Sequence, residues 1–122
     1  MVIVIDFDGT LCELNYPAIG LPRHDVIEKV KEAKRRGNTI TLNTCREGLL
    51  LRDALFWLEY YWGIIPDYVN QNTKENIAEY GDCRKISGDL IVDDKAPGSI
   101  EFFLDCSLPW VNKVYEGGYH VA

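Results

Sequence analysis

"VIVIDFDGTL", residues 2–11, decides how the rest of the chain is read. Val2 to Ile5 form an unbroken β-branched run, too short for a helix and without polar alternation, so they read as a buried strand. The run ends on Asp6 and Asp8, two residues apart and therefore on the same side of an extended backbone. Gly9 follows, and no lysine or arginine occurs within the next ten residues. Two carboxylates at the end of a buried strand need a positive charge from elsewhere.

Working outward, a loop from about Gly9 to Pro22 precedes "HDVIEKVKEAKRRG" (24–37). That segment reads as an amphipathic helix with Val26, Ile27, Val30 and Ala33 on one face, basic residues in its last turn and Gly37 as the stop. "NTITLNT" (38–44) is a second strand. "EGLLLRDALFWLEYYWG" (47–63) is a second helix, with one stripe of Leu51, Leu55, Leu58 and Trp62 beside another of Leu50, Ala54, Trp57 and Tyr61. "PDYVNQ" reads as a third strand, "TKENIAEYG" as one or two helical turns and "GDLIVDD" as a fourth strand. A short helix over about 100–104 follows, and "PWVNKVYEGGYHV" (109–121) reads as an edge strand with a tail. Strands alternating with helices imply right-handed crossovers and a mainly parallel sheet covered on both faces. The expectation is one α/β domain over 1–122, three-layered and Rossmann-like.

Composition narrows the partners. The chain has 122 residues, 47% hydrophobic and 26% charged, long enough for one real core. Its formal net charge of -6 argues against a nucleic-acid partner, which wants a basic face. No apolar run reaches the length of a membrane span, and the apolar N-terminus lacks the basic leader of a signal peptide. Cys12, Cys45, Cys83 and Cys106 are scattered without a C-x-x-C pair, which suits reduced thiols and a cytoplasmic location.

In a parallel sheet the strand C-termini share one edge, where ligands bind. The first strand delivers Asp6 and Asp8 there, the second Thr44, the fourth Asp93 and Asp94. Carboxylates so gathered would repel and raise some of their pKa values. A hard divalent cation relieves that, and Mg2+, which favours oxygen ligands and shares phosphate oxygens, is the expected cofactor. Gly9 and Thr10 suit a tight turn whose backbone N–H groups could face an anion. Arg46 could fork onto a substrate phosphate or carboxylate, or else form a helix-start ion pair with Glu47 or a neighbour.

These residues resemble a known set. "DFDGTL" resembles the first motif of the haloacid dehalogenase superfamily. "LNTCRE" looks like its second motif, and "RKISGDLIVDDK" is similar to its lysine-then-acidic-pair signature in the form seen in deoxyribonucleotidases. The resemblance spans about residues 2–98. It implies a phosphatase in which Asp6 attacks phosphorus to form an aspartyl-phosphate, and Asp8 protonates the leaving group and then activates water. Thr44 would hydrogen-bond the phosphoryl group. Asp93 and Asp94 would complete the Mg2+ site with Asp6 and the Asp8 backbone carbonyl. The third-motif lysine would be Lys85, with Lys74 as the alternative.

The gaps between motifs leave no room for the cap domain most of that superfamily carries, so the chain looks like a capless member. Its expected substrate is a small phosphorylated sugar or nucleotide. The alternatives are a phosphotransferase, an open-site phosphatase of phosphoproteins or nucleic-acid ends, and a non-catalytic phosphate-binding module. The 12–22 loop, with Tyr16, Pro17 and Ile19, is the local candidate for covering the site. The aromatic helix 48–62, with Phe56, Trp57, Tyr60, Tyr61 and Trp62, is read chiefly as core and alternatively as a homo-oligomer interface.

Overall fold

The computed structural model describes residues 1–82, 85–112 and 120–121. Five strands form one parallel sheet: β1 (Val2–Ile5), β2 (Thr39–Leu42), β3 (Tyr68–Val69), β4 (Leu90–Val92) and β5 (His120–Val121), in the order β4-β1-β2-β3-β5. The helices are α1 (His24–Arg35), α2 (Gly48–Trp62), α3 (Lys74–Tyr80) and α4 (Ser99–Asp105). The expected α/β Rossmann-like fold is therefore what the chain adopts. The edge strand expected near the C-terminus is β5. The rest of that segment from 113 onward, and Cys83, lie outside the described residues.

Each helix follows from its residues. In α1 the four residues assigned to the inner face, Val26, Ile27, Val30 and Ala33, are all buried. Gly37 ends the segment in the left-handed region (φ 85°) that a side chain would strain. The side chain of Thr73 caps α3 by accepting the Asn76 N–H.

Register sets where the site can form. Ile5 pairs with Leu42 and Val92, and Leu42 pairs with Val69, so the last residues of β1, β2, β3 and β4 lie in one row. That row joins Ile3, Ile40, Phe7 and the buried residues of α1, α2 and α4 in one core cluster. Side-chain alternation puts Val4, Thr41 and Tyr68 on the opposite face. The chain runs β1 to β2 to β3 in one direction and then returns to β4, so a right-handed crossover carries α3 to that opposite face. No residue of α3 is buried. On the same face Ile91 of the edge strand β4, paired with Val4, is 47% exposed, so among the described residues the sheet is covered more thinly on this side.

Candidate active site

The residues that follow the aligned strand ends are Asp6, Asn43, Asn70 and Asp93. The ladder continues one step past the strands. Asp6 N–H donates to Val92 O, Asn43 N–H to Ile5 O and Asn70 N–H to Leu42 O, each within 2.9 Å. Asp6 and Asp93 are thereby fixed side by side at the strand-end edge.

Asp6, Asp93 and Asp94 each offer a carboxylate oxygen, and these atoms all lie within 4.8 Å of one another. Thr10, fully buried, ties them together. Its hydroxyl reaches Asp6 Oδ2 at 3.4 Å and accepts the Asp94 backbone N–H at 3.0 Å. Asp93 is shaped by its own turn: the Lys95 N–H donates to its Oδ1 at 2.9 Å, and Ser99 Oγ donates to its carbonyl at 2.8 Å. Gly9 is in the left-handed region (φ 86°), and a Cβ there would overlap the Asp94 carboxylate, so only glycine lets Asp94 close onto Asp6.

Crowding shows in the electrostatics. The Asp6 carboxyl is pushed up to about 7, first by burial and then by the neighbouring charge of Asp93, with Asp94 adding a side-chain hydrogen bond and its own charge. A donor set made only of hard carboxylate oxygens fits a magnesium-type cation. The residues that would hold it are Asp6, Asp93 and Asp94.

Asp8 does not join that group through its side chain. Its carboxylate is paired with Arg46, whose Nε donates to Oδ2 at 2.8 Å and Nη2 to Oδ1 at 2.7 Å. The Arg46 side chain is only 1% exposed, against 15% for Asp8. Arg46, read as a substrate contact or as the partner of Glu47 or a neighbour at the helix start, is instead an internal ion-pair partner of Asp8, which neither reading named. Asp8 pushes its guanidinium pKa further up by accepting its hydrogen bonds.

The turn after Asp8 also differs from expectation. The Gly9 N–H donates to Cys12 O and the Thr10 N–H to Phe7 O, so both are spent inside the turn rather than turned towards an anion. Gly9 serves close approach and Thr10 serves through its hydroxyl.

Thr44 sits beyond β2, half-buried. Its N–H donates to Asn70 Oδ1 at 2.8 Å, and its hydroxyl accepts the Arg46 N–H at 3.1 Å. Asn70 takes a positive φ of 55°, tolerated by asparagine more readily than by bulkier residues. It was not among the residues read from sequence, although an asparagine directly after a strand is a recognisable turn signal.

Buried Asn72 was missed as well. Its Nδ2 donates to Lys85 O and its Oδ1 accepts the Ser87 N–H, clamping the chain that leads into β4. Lys85 is exposed beyond that clamp. Lys74 opens α3, four residues past Asn70, and its N–H donates to the Tyr68 hydroxyl.

No family model matches the chain, and no curated protein matches it. Among solved structures, the chain is similar to a conserved protein coded by a locus of Bacteroides thetaiotaomicron. The two share 34% sequence identity and a TM-score of 0.72, over 82% of this chain and 80% of that one. At that identity and coverage the chain belongs to the same family as this conserved Bacteroides protein.

Proposed function

We propose that the protein is a magnesium-dependent phosphatase that acts on a small phosphorylated sugar or nucleotide, with Asp6 as the nucleophile. One observation carries this reading: Asp6, Asp93 and Asp94 converge at the strand-end edge of a parallel sheet, with oxygens within 4.8 Å. The "DFDGTL" and "GDLIVDDK" resemblance supplies the reaction type.

In the first step an Asp6 oxygen bonds to phosphorus, and the bond to the leaving oxygen breaks. Water then attacks phosphorus, the bond to Asp6 breaks, and the carboxylate is restored. The Thr44 hydroxyl, on the same edge, donates to a phosphoryl oxygen. Asp8 stands two residues from the nucleophile as the acid–base partner. When bound, Mg2+ supplies positive charge that favours ionised Asp6 and neutralises the phosphoryl oxygens. Lys85, the third-motif lysine by the same resemblance, with Lys74 as the alternative, adds a second positive charge.

The test is phosphate release from a panel of phosphomonoesters with magnesium, comparing wild type with Asp6→Asn. Wild type should release phosphate only with the metal, and the variant should fall to background. Turnover that survives Asp6→Asn would overturn the assignment.

The site has no covering domain among the described residues, and the outward side of α2 carries exposed Leu49, Phe56, Tyr60 and Tyr61. A second copy of the chain, docked through this helix, is the proposed partner.

A further inference from the structure

We propose that Arg46 is a positioning residue that holds the Asp8 carboxylate and the tip of the 13–21 loop as one unit and does not itself touch substrate. The kinetic part rests on the phosphatase reading above; the mechanical part does not.

The loop is built like a noose. At its neck the Glu13 N–H donates to Leu21 O at 2.8 Å, and Cys12 bridges Pro22. Gly20 lies so close to the Glu13 backbone that a Cβ would overlap the Glu13 carbonyl. Beyond the neck, residues 14–18 are exposed, Leu14 at 69% and Tyr16 at 54%.

What ties this tip to the body is Arg46. Nη2 donates to Ala18 O at 3.0 Å, and the guanidinium carbon lies 5.2 Å from the centre of the Tyr16 ring. The same guanidinium is 5.2 Å from the Phe7 ring on its inner side and donates through Nη1 to Leu50 O at 3.4 Å. Its remaining contacts are the two to Asp8.

Loop, acid and helix entry therefore share one cation. With the Arg46 side chain only 1% exposed, the Phe7 and Tyr16 rings against it and its fork filled by Asp8, a substrate phosphate has no open approach to the guanidinium. Its consequence for the reaction is geometric. Asp8 is held in one rotamer relative to Asp6, and the loop that borders the site moves only if that hold is broken. Misplacement of a reacting group by about 1 Å costs on the order of 10²-fold in rate.

The test combines chymotryptic cleavage at Leu14, followed by mass spectrometry, with steady-state kinetics on the phosphomonoester that wild type cleaves best. Arg46→Lys keeps the charge and loses the fork; Asp8→Asn removes the partner without touching the loop. Both variants should expose Leu14 to faster cleavage. Loop protection equal to wild type in Asp8→Asn would overturn the idea of one unit.

In kinetics, Arg46→Lys should lower kcat by roughly 10²-fold with KM little changed. Introduced into Asp8→Asn, which has already lost the acid–base group, Arg46→Lys should cost little more than Asp8→Asn alone, because Arg46 acts through Asp8. A raised KM with kcat retained, or losses that multiply in the double variant, would overturn the positioning role. Should either buried variant fail to fold, Tyr16→Ala carries the test: faster cleavage at Leu14 with lower kcat is expected, and unchanged kcat overturns the proposal. Absence of turnover in wild type would fail the phosphatase reading, while the cleavage comparison still decides the linkage.

Discussion

At the scale of single residues, Asp6 makes the sharpest statement about pH. Its carboxyl is raised from 3.8 to about 7 by burial and by Asp93, so between those values the folded protein holds a proton that the unfolded chain releases. The stability this group contributes is fully present below about pH 4 and is lost as pH rises towards 7. Asp6→Asn cannot titrate, so its melting temperature relative to wild type should climb from pH 4 to pH 7 and then level off, without added metal. A flat difference across that range, followed by thermal melting, would contradict the crowding of Asp6. Magnesium should raise the melting temperature of wild type more than that of Asp6→Asn, since a ligand stabilises the state that binds it. The residue types at this site were legible in sequence because strand ends converge by topology. The Arg46–Asp8 pair was not legible there. Thirty-eight residues separate the partners, and the loop geometry that brings them together has no periodic signal.

At the scale of elements, α1 and α2 make an instructive contrast. In α1 the apolar residues fall on one face and all of them are buried, so period alone located the inner surface. In α2 apolar residues run nearly all the way round, and period could not separate the inner face from the outer. The structure buries Ala54 and Leu58 and half-buries Leu51, Leu55, Trp57 and Trp62, with the Trp57 ring set edge-on to Phe7 at 5.5 Å. The aromatic residues thus divide: Trp57 and Trp62 belong to the core, while Phe56 and Tyr60 stack on one another in the open at 5.2 Å. Exposed aromatic side chains gathered on one helix mark a contact surface. Light scattering at micromolar concentration should therefore find a dimer that Phe56→Glu with Tyr60→Glu converts to monomer with the fold intact. A wild-type monomer under those conditions would sink the self-association. Boundaries of the short strands were less legible than helix faces: Tyr68–Val69 and Leu90–Val92 are two and three residues long, and flanking polar residues on the strand ends read equally well as strand or turn.

At the scale of the whole molecule, the order β4-β1-β2-β3-β5 explains why residues from opposite ends of the sequence share a site. β1 lies between β2 and β4, so Asp6 has Asp93 beside it on one flank and the Thr44 segment on the other. Alternation of strands and helices was enough to infer this parallel sheet and its working edge, since handedness leaves few ways to wind it. No described helix is long and apolar enough to cross a membrane. The central claim is that Asp6 carries the phosphoryl group between two displacements. Its most direct measurement is to acid-quench the enzyme during turnover with magnesium, reduce with borohydride and map the peptides by mass spectrometry. An aspartyl-phosphate is reduced to homoserine, and the account predicts homoserine at position 6 only in samples quenched with substrate present. Homoserine at another aspartate, or phosphate release with position 6 unchanged throughout, would contradict it.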